Sequence, residues 1–296
     1  MRKQRSDVRA FEGSEVREHP NPAPERETPE HPNASSGNPK ILALDFDGVL
    51  CNSVYEGMRS AWRVYRDIWD GSGDTPPPQV ADAFVRLRPA MEIGWEFPVM
   101  LRALVDGVSE TTLVQEFQAT WRQRIVEKYK LNPKDLTARF DGTRDEWIGK
   151  DLDSWLGCQN LYTGIAGRLN ALLKSKVQMF VITTKEGKYA RLILERNGVP
   201  FPAERIWGKE RARPKTDLLR VLHREHGVAY GDIWFVEDRL KTLQSAEQQV
   251  DLGEVGLFLA AWGYNTPGEQ DEAKADKRIA LLTLEQFCGA FSAWKQ

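Results

Sequence analysis

From residue 160 onward, short apolar runs alternate with segments of helical periodicity, and this alternation restricts the fold more than any other feature of the chain. Val177-Gln178-Met179-Phe180-Val181-Ile182, Ile206-Trp207, Ile233-Trp234-Phe235-Val236 and Leu257-Phe258-Leu259-Ala260 are nearly continuous apolar runs. Runs of this kind suit strands buried on both faces. Between them, Ile165, Leu169, Leu172 and Leu173, then Tyr189, Leu192 and Ile193, then Leu218, Leu219 and Leu222 recur at helical spacing. Gly198 suits a helix C-terminus. A last helix is expected from about Thr283, presenting Phe287, Phe291 and Trp294. Strands alternating with helices predict an α/β fold, a Rossmann-like parallel sheet covered on both faces. Functional residues in such sheets collect beyond the C-terminal ends of the strands.

One more apolar run belongs to this sheet. Ile41-Leu42-Ala43-Leu44 leads directly into Asp45-Phe46-Asp47-Gly48-Val49-Leu50. Strand residues two apart project to the same side, so both carboxylates can face one small volume. Gly48 allows a turn at no steric cost. Two anions held this close require a cation or a shared proton. They suit metal-assisted attack by one carboxylate with proton transfer by the other.

Residues 53–159 read as helices inserted after that first strand. Ser53-Val54-Tyr55-Glu56 fits a capping box. Met58, Ala61, Trp62, Tyr65, Ile68 and Trp69 follow on one apolar face, and Gly71 to Pro78 ends the element. A second helix is expected after Thr112, with a Thr112/Gln115 box. The predicted organisation is therefore a tail (1–39), an α/β core (40–52 and 160–296) and an inserted α-helical cap (53–159). The tail carries six prolines, many charges and almost no large apolar residue, so it is expected to be disordered. Whether it binds a protein partner stays open.

The bulk numbers exclude several classes. Net charge is −2 over 296 residues, which gives no global basic field for nucleic acid or an anionic membrane. No apolar run approaches a membrane span. Cys51, Cys158 and Cys288 are odd in number and widely spaced, which points to a reducing cytoplasm. Four histidines, two of them in the tail, disfavour histidine-based catalysis or metal binding.

The strand ends supply the rest of a site. Thr183, Thr184 and Lys185 follow one strand, Arg213 and Lys215 open a helix, and Glu237 and Asp238 follow another strand. Hard oxygen ligands without histidine or thiol suit Mg²⁺. Mg²⁺ with a lysine and a hydroxyl matches what a transferring phosphoryl group requires.

These segments together, DFDGVL, VITTK, ARPKTDLL and FVEDRLKTL, resemble the four motifs of the haloacid dehalogenase (HAD) superfamily, in its phosphatase branch with a helical cap. Leu161-Tyr162-Thr163-Gly164-Ile165 is similar to the stretch after the cap in phosphoglycolate-phosphatase-like members. The resemblance spans about 40–296. It implies a Mg²⁺-dependent phosphomonoester hydrolase acting on a small phosphorylated metabolite. Asp45 would be the nucleophile, forming an aspartyl phosphate, and Asp47 the acid and base. Mg²⁺ would be held by Asp45, the Asp47 carbonyl and Asp238, with Glu237 contributing through water. Thr183 and Lys215 would bind the phosphoryl group, with Thr184 beside them. Aligning on Pro214 selects Arg213 instead, and Lys215 is the preferred reading because it opens the helix. The fourth motif departs from the family pattern, with Thr242 where a second acid is usual, and Asn52 replaces an acid before Ser53. A phosphomutase and a non-catalytic phospho-ligand or protein-binding relative are the alternatives. In the cap, Arg88 and Glu96 are expected to read the substrate, and Trp95 to lie near it.

Overall fold

The computed structural model describes residues 37–294. The expectation of a disordered tail falls mostly on residues 1–36, outside the described residues.

Six strands form one fully parallel sheet. In chain order the strands are β1 (Ile41–Leu44), β2 (Cys51–Asn52), β3 (Asn160–Leu161), β4 (Gln178–Ile182), β5 (Ile206–Trp207), β6 (Ile233–Glu237), β7 (Gly256–Ala260) and β8 (Ile279–Leu282). The sheet runs β5-β4-β1-β6-β7-β8, and β2 and β3 pair separately as a short antiparallel ribbon. β1 is completely buried, as its unbroken apolar run requires. From β1 the chain builds outward through β4 and β5, then crosses to the other side with β6. The order therefore reverses at β1, and a crevice opens beyond its C-terminal end.

Helices cover both faces. Leu42, Leu44, Met179, Val181, Trp234 and Val236 point into one apolar cluster, while Ile41, Ala43, Phe180, Ile182, Ile233 and Phe235 point into the other. This is the period-2 alternation of buried strands.

Between β2 and β3 the described chain is helical: Val54–Trp69, Pro78–Leu87, Glu96–Val105, Glu110–Glu116, Arg122–Lys128, Pro133–Lys150 and Leu152–Leu156, with a π-turn at Phe117–Trp121. This insertion has its own apolar cluster, including Met58, Trp62, Phe84, Phe97, Met100 and Phe140. Trp62 and Tyr65 stack at 4.7 Å, consistent with a packing role for the aromatic face of the first helix. Trp147 and Trp155 instead join the cluster beneath the sheet.

Several local expectations are corrected. Ser53 precedes the first helix but makes no side-chain cap. Glu56 turns away to Arg144, its guanidinium donating at 2.7 and 2.9 Å, and to the Ser60 hydroxyl at 2.9 Å. A buried ion pair outcompetes a solvent-facing box. Asn52 is bonded in its place, its Oδ1 accepting from the Val54 amide at 3.2 Å. The later helix is capped by Ser109, which accepts from the Thr112 amide, rather than by Thr112. The final helix, Leu284–Cys288, does start after Thr283, but it ends at Gly289, so Phe291 and Trp294 lie in a following 3₁₀ turn. The strand Ile279–Leu282 and the helix Pro267–Ala275 were not anticipated.

Candidate active site

The predicted residues of four separate segments meet at the C-terminal edge of the sheet. Asp45 leaves β1, Thr183 leaves β4, Glu237 ends β6 with Asp238 next, and Lys215 opens the helix Lys215–His226. Lys215 Nζ lies 2.8 Å from Asp45 Oδ1 and 2.6 Å from Glu237 Oε2. Arg213 is exposed, whereas Lys215 is the one of the two that contacts Asp45 and Glu237. The surrounding cavity measures about 460 Å³ and is lined from the sheet by Asp45, Asp47, Thr184, Lys185 and Asp238.

Asp45, Glu237 and Asp238 are all buried, with ligand oxygens within 4.8 Å of one another. Lys215 pairs with Asp45 and Glu237 of these three, and burial of so many carboxylates governs their protonation. Burial, then the Glu237 charge, push Asp45 up to about 7 against the pull of Lys215. Burial, then Asp45, push Asp238 up to about 6. Burial also raises Glu237. For Lys215 burial opposes the charge, but Asp45 and Glu237 outweigh it and hold the ammonium protonated.

The donor set fits a hard divalent cation. Both Glu237 oxygens are already engaged, Oε2 by Lys215 and Oε1 by the Asp238 and Arg239 amides at 3.1 and 3.0 Å. Glu237 therefore holds Lys215, and its carboxylate also belongs to the acidic group that could hold an ion. Asp238 Oδ2 accepts from the Tyr264 amide at 2.8 Å, leaving Oδ1 for an ion. Glycine is required on both sides of Asp238. A Cβ on Gly48, which has φ +87°, would come within 2.0 Å of Asp238 Oδ2, and one on Gly263 within 2.3 Å of its Cβ. Thr242 lies outside the cavity lining.

Thr183 is buried, and its hydroxyl accepts from the Lys185 amide at 3.1 Å. Thr184 is exposed toward the cavity. Lys185, named in sequence only as a strand-end residue, reaches Asp47 Oδ1 at 3.2 Å and Gln159 Oε1 at 2.6 Å. It thus touches the acid/base candidate and a buried residue of the returning connection.

The helical insertion lines the other wall with Glu56, Arg88, Glu92, Ile93, Gly94 and Arg144, among others. Arg88 lines the cavity. Its guanidinium sits 4.0 Å over the Tyr264 ring, and burial lowers its affinity for the proton. Glu96 does not read the cavity. It is completely buried and accepts from the Glu92 and Ile93 amides, Gln118 Nε2 and Arg122 Nη1 at 2.6, 3.3, 3.0 and 2.6 Å. Its task is to tie the loop to two helices. Glu96→Ala is accordingly expected to cost about 3 kcal/mol or more, read as a lowered urea midpoint. Trp95 is also absent from the lining, where Trp155 and Tyr264 supply aromatic surface instead. Tyr264 carried no sequence signal, since its amide, ring and hydroxyl serve three distant partners: Asp238, Arg88 and Ser53.

Comparison with known proteins agrees with this architecture. No curated protein matches the chain. Among solved structures, a proposed phosphoglycolate phosphatase from Lactobacillus delbrueckii subsp. bulgaricus is similar at 14% identity, covering 88% of this chain and 100% of that one, with a TM-score of 0.58. A predicted phosphoglycolate phosphatase from Haemophilus somnus shares 17% identity over 83% of this chain and 95% of its own, TM-score 0.53. A predicted phosphatase from Clostridium acetobutylicum shares 15% over 85% and 97%, TM-score 0.51. At these identities the likeness is one of fold. The family model for haloacid dehalogenase-like hydrolases matches residues 103–250, half of the sequence and the part that contains Thr183, Lys215 and Asp238. The chain belongs to the haloacid dehalogenase-like hydrolases.

Proposed function

We propose that the protein is a Mg²⁺-dependent phosphomonoester hydrolase acting on a small phosphorylated metabolite through an aspartyl phosphate on Asp45. The observation that carries this reading is Asp45 itself, held by Lys215 at 2.8 Å beside Asp238 and beneath an open cavity. Lys215 fixes one carboxylate oxygen and leaves the other to attack phosphorus. Asp47, at the cavity wall, protonates the leaving alcohol and later takes a proton from the hydrolytic water. Lys185 orients the Asp47 carboxylate. Thr183 and Thr184 bind phosphoryl oxygens. Mg²⁺, held by Asp45, the Asp47 carbonyl and Asp238, would neutralise charge on the phosphoryl group.

Residues 53–159 act in this reading as a cap domain that selects the substrate, with Arg88 as its polar contact. The three free cysteines are consistent with a reducing cytoplasm, and no described helix is long and apolar enough to cross a membrane.

The reading is tested by phosphate release from a panel of phosphate monoesters, with Mg²⁺ and with chelator. Release that requires Mg²⁺ supports it. No release from any ester by folded, metal-binding protein would favour a mutase or a binding protein. Gly48→Ala gives a second check. The added Cβ must displace Asp238, so Mg²⁺ affinity measured by calorimetry should fall at least tenfold, with turnover falling alongside it.

A further inference from the structure

We infer that Arg239 is a positioning residue that latches the substrate-facing loop of the helical insertion onto the catalytic edge of the sheet. This inference rests on the phosphatase reading only for its kinetic consequence. Arg239 directly follows Asp238 and leaves the sheet toward the insertion. Its Nη1 donates to the Tyr264 carbonyl at 2.7 Å, and to the Pro89 and Met91 carbonyls at 3.3 and 3.4 Å. Its Nη2 lies 3.8 Å from Glu92 Oε1. One guanidinium therefore joins the loop after β7 to the loop 88–92, some 150 residues away in sequence.

That loop is one of the parts of the insertion that face the site, since Arg88, Glu92, Ile93 and Gly94 all line the cavity. From within the insertion, Arg88 donates to the same Met91 carbonyl at 2.7 Å, so two guanidiniums share it. Lys241 adds a contact to Glu92 at 2.6 Å, but it is exposed and adds little. Arginine is suited to the task because Nη1 can face the carbonyls while Nη2 of the same planar group faces Glu92. Because Arg239 sits beside Asp238, the latch ties the loop's position to the same turn that presents a metal ligand.

The test uses full-length protein with Arg239→Ala and Arg239→Lys, and two readouts. Amide hydrogen exchange at Met91–Ile93, where the amides are hydrogen-bonded, is expected to accelerate at least tenfold in both variants, with β1 and β6 keeping their protection. KM for the best phosphate ester is expected to rise about tenfold, with kcat falling less than threefold. Unchanged exchange or unchanged KM would overturn the latch. Loss of protection in β6 together with loss of Mg²⁺ affinity would also overturn it, because Arg239 would then support the Asp238 turn rather than the loop. If the wild-type protein hydrolyses no ester, the phosphatase reading fails, and the exchange measurement alone still decides the latch.

Discussion

Asp45→Asn is expected to lose turnover by about 10⁴-fold or more while folding at least as stably as the wild-type protein. An amide cannot attack phosphorus, but it keeps the shape and one oxygen for Lys215. The stability half follows from the charges. Asp45 and Glu237 are buried around one ammonium, with Asp238 beside them. Asp45 is pushed up to about 7, first by burial and then by Glu237. A carboxylate raised in the folded state costs nothing below its unfolded value near 4. Its cost grows as pH rises through that range and is complete above about 7. Asp238, raised to about 6, acts in the same direction. Metal-free wild-type protein should therefore lose stability between pH 4 and 7 on account of these groups. Asp45→Asn should relieve part of that loss at pH 8 and little at pH 5. Thermal unfolding in chelator at the two pH values measures this, and a variant that melts well below wild type at pH 8 would show that the Asp45 charge is net stabilising.

Lys215→Met should give the largest loss of stability of any change at the site. It removes the ammonium from between Asp45 and Glu237 and leaves buried carboxylates without their cation, a type of change that costs about 3–5 kcal/mol. For a domain of this size that corresponds to a melting temperature lower by about 10 °C. The loss should shrink at pH 5, where the carboxylates take up protons, and turnover should vanish at every pH. Arg213→Met, two residues earlier and exposed, should change stability by no more than about 0.5 kcal/mol. Comparable urea midpoints for the two variants would contradict the central position given to Lys215.

What could be read from sequence was what local pattern encodes. The strand Ile41–Leu44 with its acids and Gly48, and the strands at 178, 206, 233 and 256, all follow from apolar run length and strand-end chemistry. Where a residue had a choice of partners, sequence alone could not decide. Glu56 fits a capping box locally, yet its partner is Arg144, 88 residues away. Sequence favours Lys215 over Arg213 only through the helix start, and the meeting of β1, β6 and that helix adds its contacts with Asp45 and Glu237. Glu96 fits substrate recognition locally, as an acid in a loop of the insertion, and only its four donors reveal a structural anchor. Arg239 and Tyr264 owe their positions to contacts with distant loops. The strand Ile279–Leu282 is not legible in sequence because Ile-Ala-Leu-Leu is too short a run to separate from a helix turn.

The most direct test of the account is rapid acid quenching of the protein mixed with a ³²P-labelled phosphate monoester, taken from the best substrate of the panel. Protein-bound label is expected within the first turnover, released by hydroxylamine and mapping to the peptide that contains Asp45. The label should be absent with chelator and absent from Asp45→Asn. Turnover without any protein-bound label, or label that persists in Asp45→Asn, would contradict Asp45 as the group that accepts the phosphoryl.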